Sequence, residues 1–192
     1  MGLLRDGINE VIATTSGNAA PMGIIRDGER YSMVVYLGSH TAGNIGRFGW
    51  VVANIIHDPV LYVKTAFSDI GPEWFREERA GALTVQRLNG AEAWCAFRAK
   101  VARRTKEASL VELEPLREEV IRCEIHPVNR GFSSIIEATI HATRIVRSPS
   151  PKLAELISHH AAIVRRCGGR EEKEALALLE EILKEKAGTG IS

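Results

Sequence analysis

The sequence changes character once, at "RSPSPK", Arg147 to Lys152, and this limits the folds open to the chain. Pro149 and Pro151 break any helix that would run across it. Before the break, short β-branched runs alternate with Gly turns; after it, only helical periodicity remains. A boundary therefore falls near residue 149, with one domain over residues 1–148 and a helical segment over residues 149–192. Many short strands with few helices point to a small barrel or an α+β domain for the first part.

The C-terminal segment reads as an αα-hairpin. Pro151 opens the first helix, which carries Leu153, Leu156, Ile157, His160, Ile163, Val164 and Cys167 at helical spacing. "CGGR" stops it, with Gly168 or Gly169 expected in the left-handed cap position. The second helix, Glu171 to Lys186, lines up Leu176, Leu179, Ile182 and Leu183. Two helices make no core alone, so the hairpin needs the larger domain or a partner subunit to lie on.

In the first part, "VIATTS" reads as a short strand and "MGIIRDGERYSMVVYLG" as a hairpin turning at Asp27-Gly28. "WVVANII" is a buried strand, and "HDPV" starts a helix, with Asp58 as N-cap and Pro59 at the first helical position. "WCAFRAKVARR" and "SLVELEPL" are further strands. "NRGFSSIIEATIHATRIV" fits a helical face better than strict alternation.

At 192 residues and 45% hydrophobic, the chain is long enough for one ordinary domain, or one plus a small appendage. A net charge of +1 argues against a general nucleic-acid binder. No apolar run approaches the ~18 residues of a membrane span, and the charged N-terminus does not read as a signal peptide. Cys95, Cys123 and Cys167 are odd in number and far apart, which indicates neither a disulfide framework nor a CxxC site. A soluble cytoplasmic protein is expected.

The chemistry concentrates in "YLGSHTAGNIGRFGWVVANI", Tyr36 to Ile55. Gly38 releases a strand, and Ser39 or His40 precedes a short helical turn, Thr41 to Phe48, that Gly43 and Gly46 weaken. Unpaired amides at a turn, with hydroxyls beside them, make a phosphate site that needs no lysine. Thr41 and Asn44, three apart, face the same way; His40 and Arg47 add charge. Asn54 lies on one face with Trp50, Val52 and Ile56, and a buried carboxamide must be satisfied by the protein or by a ligand. The plainer alternative makes Ser39 and Thr41 helix caps and Asn54 a hydrogen-bonded core residue.

The order of "AAPMGII", "SHTAGNI", "VVANI" and the later "NRGFSSIIEATIHATRIV" resembles the flavin-reductase type of FMN-binding split barrel, and over nearly the whole chain the DUF447 family. That resemblance implies a mainly β fold with helices: a six-stranded antiparallel split barrel holding FMN near a homodimer interface, plus the C-terminal helical hairpin. By position, Ser39, His40, Thr41 and Asn44 would surround the phosphate. Pro21, Met22 and Gly23 would pass the isoalloxazine, and Asn54 would meet the ribityl chain or the ring. Asn129, Arg130 and Arg144 are further candidates, reaching from the second subunit. A Lys-Asp pair is common in flavin reductases where this chain has His40-Thr41, so neutral donors plus a remote arginine would have to meet the phosphate charge. The implied function is flavin-dependent oxidoreduction between a small-molecule donor and a small acceptor. The family's occurrence in organisms that handle one-carbon units suggests a pterin-like acceptor. A non-catalytic flavin carrier or sensor, a site for another nucleotide, and a purely structural module are the alternatives.

Other candidates have bland readings. His159 and His160 point about 100° apart on a helix of ~3.6 residues per turn, a poor metal pair, and read as one surface and one interface histidine. Glu137 and His141, at i and i+4, read as a surface pair. His57 and His126 read as loop residues. Trp50, Trp74 and Trp94 read as core or interface, and Met22 as a flexible neighbour for an aromatic ring. No cysteine reads as a nucleophile.

Overall fold

A computed structural model describes residues 2–189. The backbone forms two compact units. One runs up to Ile56 and includes Asp69–Glu124; the other takes His57–Ser68 and the residues from Ile125 onward.

The first unit holds β1 (Gly7–Thr15), β2 (Asn18–Asp27), β3 (Arg30–Tyr36), α1 (His40–Phe48) and β4 (Trp50–Ile55), then β5 (Phe75–Ala80), β6 (Leu83–Leu88), β7 (Ala93–Arg104) and β8 (Ala108–Val120). Six strands close a barrel in the order β1-β2-β3-β8-β7-β4, and all neighbours are antiparallel. This is the expected six-stranded architecture. Alternation drives it. Along β3, Tyr31, Met33 and Val35 are buried while Val34 and Tyr36 are exposed. The inward set joins Val11, Ala13, Ile24, Val51, Ala53, Phe97 and Val111 in the barrel core.

Strand β4 is buried on both faces, which explains its unbroken apolar run. Val51 and Ala53 face the barrel core. Trp50 and Val52 pack instead with Trp94 and Ala96 under Ala80 and Val85 of the β5–β6 hairpin. The sequence reading did not include that hairpin. "FREERA" is mostly charged and gives no clear alternation, so the hairpin is specified by the apolar face it covers. The Asp27-Gly28 turn is observed, with Gly28 at φ +60.

The second unit contains α2 (Pro59–Phe67), α3 (Arg130–Ile145), α4 (Pro151–Cys167) and α5 (Arg170–Thr189). Asp58 caps α2, its Oδ1 accepting from the Leu61 amide at 2.8 Å. Asn129 caps α3, its Oδ1 accepting from the Gly131 amide at 2.8 Å. Val63, Ile135, Ala138 and Ala142 share one core with Ala161, Val164, Ala175, Leu176 and Leu179. The partner surface that the α4–α5 hairpin needs is thus supplied by α2 and α3. Packing groups α3 with the hairpin, so the Pro149–Pro151 break lies inside the second unit, not at its border.

The expected left-handed cap after α4 is not formed. Gly168 is extended, at φ −75 and ψ 147, and neither Gly168 nor Gly169 has positive φ. Close approach explains the glycine instead: a Cβ on Gly168 would lie 2.7 Å from the Val164 carbonyl oxygen and 3.0 Å from the Glu172 Cβ, and one on Gly131 would lie 2.5 Å from the Gly168 Cα. Glu172 locks this corner, accepting from Asn129 Nδ2 at 3.1 Å and from the Gly169 amide at 2.7 Å. No helix among the described residues is long and apolar enough to cross a membrane.

Candidate functional site

Gly38, at φ +82, turns the chain out of β3 and into α1. Ser39 caps the helix, its Oγ accepting from the Ala42 amide at 3.2 Å, so the amides of the first turn face outward from the helix start. Beside this turn lies the two-residue connection from β1 to β2, Ser16-Gly17, with Gly17 at φ +66. Together they wall a cleft of about 440 Å³ lined by Ser16, Gly17, Asn18, Ser39, His40, Gly43, Asn44 and Asp69.

Side chains hold the two walls in place. Asn44 Nδ2 donates to Thr15 Oγ1 at 3.1 Å and to the Ser16 carbonyl at 3.0 Å. Asn18 Nδ2 donates to Thr41 Oγ1 at 3.0 Å. On its other side the turn is tied to β6, where the Gly17 amide donates to Gln86 Oε1 at 2.8 Å. Thr41 and Asn44 do face the same way, as their spacing predicts, but Thr41 is buried and supports the cleft without lining it. His40 lies 3.5 Å from Asp69 through Nδ1, and both side chains are well exposed.

A second opening lies in the barrel wall. β2 pairs with β3 only where Ile24–Asp27 meet Arg30–Met33. Upstream of Ile24, β2 runs beside β1 alone among the described residues, while β3 beyond Met33 follows β8. Pro21, Met22 and Gly23 form one lip of this gap, all half-buried, with Met22 packed against the barrel core. Pro21 suits such an edge because it has no amide hydrogen to leave unpaired. Gly23 is crowded: a Cβ there would lie 2.8 Å from the exposed Ile8 side chain, which would have to shift.

Asn54 requires a correction. It is fully buried, and Nδ2 donates to the Ile12 carbonyl at 2.8 Å and to Thr14 Oγ1 at 3.1 Å. Oδ1 accepts from the Leu88 amide at 2.7 Å. Of the two ways to satisfy this carboxamide, the protein takes the internal one, with partners of its own at both Nδ2 and Oδ1. It fastens β6 to the barrel. Asn129 likewise spends its side chain on the α3 cap and on Glu172. Arg130 and Arg144 are exposed at opposite ends of α3. They are separated by about 21 Å of helix rise, so they cannot both serve one phosphate. Ser16, Gly17, Asn18 and Asp69 were missed in the sequence; "SGN" is a turn signal that marks the first three.

Cys95 lies inside the barrel core, where burial, and then the neighbouring Glu118 carboxylate, push its thiol up to about 12. It stays protonated and is no nucleophile.

The DUF447 N-terminal domain, described as a protein of unknown function, matches residues 9–122, and a second DUF447 domain matches residues 129–181. The chain belongs to the DUF447 family. An FMN-bound DUF447 protein from Methanosarcina mazei is 37% identical, with a TM-score of 0.87 over 92% of this chain and 95% of that one. The 2-nitrobenzoate 2-nitroreductase of Pseudomonas fluorescens is 18% identical, with a TM-score of 0.47 over 62% and 67% of the two chains. An FMN-binding protein from Thermus thermophilus is 11% identical, with a TM-score of 0.49 over 63% and 75%. The whole cleft of this DUF447 chain falls within the N-terminal match.

Proposed function

We propose that this DUF447 chain is a cytoplasmic homodimer that binds FMN and uses it to pass electrons or hydride from a small-molecule donor to a small acceptor, pterin-like rings included. The observation that carries the reading is the pairing of a capped helix start and a polar cleft with a barrel edge left open on β2. The 37% identity to an FMN-bound protein supports it.

The residues present fit the cofactor. The first amides of α1, with His40 beside them, offer donors and a positive helix end to a phosphate, while Ser39 and Asn44 hold the cleft walls through their own hydrogen bonds. The open edge at Pro21, Met22 and Gly23 offers backbone groups and a thioether to a flat aromatic ring. FMN, when bound, would supply the hydride and electron chemistry; the protein's part is to bind and orient it. Asp69 pairs with His40 and so competes with an anion for it. The homodimer is supported by exposed aliphatic and aromatic side chains on the outer face of the barrel, where Val34 stands opposite Leu110 and Tyr36 follows.

A non-catalytic flavin carrier or sensor is the second reading. It is favoured by the cleft's lining, which apart from His40 and Asp69 is all hydroxyl, carboxamide and glycine. The visible spectrum of the purified protein tests flavin binding: a yellow preparation releasing FMN on denaturation is expected. Protein that stays colourless with excess FMN, with no shift in Tm, would overturn it. Anaerobic reduction by NAD(P)H and reoxidation by candidate acceptors then separates enzyme from carrier.

A further inference from the structure

In the second unit, Glu137 and His141 stand one turn apart on α3 and face His160 on α4. Each offers one ligand atom, and the three atoms all lie within 4.8 Å of one another. The two imidazole centroids are 5.6 Å apart and tilted by 34°. Nδ1 of His141 and Nδ1 of His160 are both buried with no hydrogen-bond partner. A buried polar atom left unmatched is costly, and two in one cluster ask for a common explanation. Small side chains beside them, Ala138 and Ala142 on α3 and Ala161 on α4, belong to the core joining these helices and let the two backbones approach.

We infer that Glu137, His141 and His160 bind one divalent transition-metal ion of the zinc class, which cross-links α3 to α4. Two imidazole nitrogens and one carboxylate oxygen form a donor set that zinc accepts with a fourth position left to water. Glu137 is exposed at the mouth of the cluster, which gives the ion a way in and keeps the open coordination position toward solvent. His159, exposed and set edge-on to His160 with centroids 5.3 Å apart, lies outside the three-atom cluster.

The test uses full-length, tag-free protein stripped with chelator and titrated with Zn²⁺ or Co²⁺, while Tm and visible absorption are followed. One equivalent of either ion should bind and raise Tm. The cobalt form should show visible ligand-field bands and no thiolate charge transfer, which excludes the free cysteines as ligands. His160→Ala and His141→Ala should each weaken binding by about a hundredfold or more, beyond the cost of losing an outer partner. Glu137→Gln should weaken it with little change in shape, which guards against misfolding of the alanine variants, and His159→Ala should bind normally. Absence of binding, binding that survives both histidine substitutions, or a cobalt spectrum with thiolate bands would each overturn the inference.

Discussion

The Asn54 side chain reaches from β4 to β1 and β6, and removing it orphans the Ile12 carbonyl and the Leu88 amide together. Asn54→Ala should therefore cost about 2–4 kcal/mol of stability, measured by urea unfolding, while FMN content per folded chain stays unchanged. Cys95 gives a second expectation at this scale. The unfolded thiol ionises near pH 9, whereas the folded one stays protonated up to about 12. The folded state thus holds an extra proton in that window, and stability is full below pH 9 and falls as pH rises through it. Unfolding midpoints taken across alkaline pH, with Cys95→Ala as control, check the sign. Ser39 and His40 were placed correctly at the start of a helical turn because capping is local. The partner of Asn54 was not legible, since Leu88 lies in a strand that no alternation announces.

Among elements, α1 is the one whose sequence works against its own structure. Gly43 and Gly46 both lie inside it, and a Cβ added at either meets nothing within 4 Å. Gly46→Ala should stabilise the protein by up to about 1 kcal/mol and leave flavin affinity alone. Gly43 lines the cleft, so Gly43→Ala should bring a similar gain in Tm with weaker FMN binding. Equal affinity in the two variants, read by fluorescence quenching of added FMN, would move the phosphate elsewhere. The legible elements were those with local signals: Asp58-Pro59 before α2, Gly28 between β2 and β3, and the apolar helical face of α3. The β5–β6 hairpin escaped because its pattern is written on Trp50, Val52 and Trp94, the surface it shields. Gly168 was read as a conformational glycine when it is a steric one, crowded by the Val164 carbonyl and the Glu172 side chain at the α4–α5 corner.

For the whole molecule, the main prediction concerns the outer face of the barrel. Val34, Tyr36 and Leu110 are exposed there on neighbouring strands. If the proposed homodimer forms through this face, placing a charge at Val34, as in Val34→Glu, should convert it to monomer in light scattering after gel filtration. Loss of bound flavin in the same fractions would place the cofactor near that interface.

The open stretch of β2 upstream of Ile24 has a consequence for handling the protein. Bare strand edges recruit other strands. A cofactor lying along Pro21 to Gly23 would act as a cork, so protein stripped of flavin should become turbid sooner on mild heating than the yellow form. Riboflavin-starved expression cultures should then yield more of this chain in the pellet than in the supernatant.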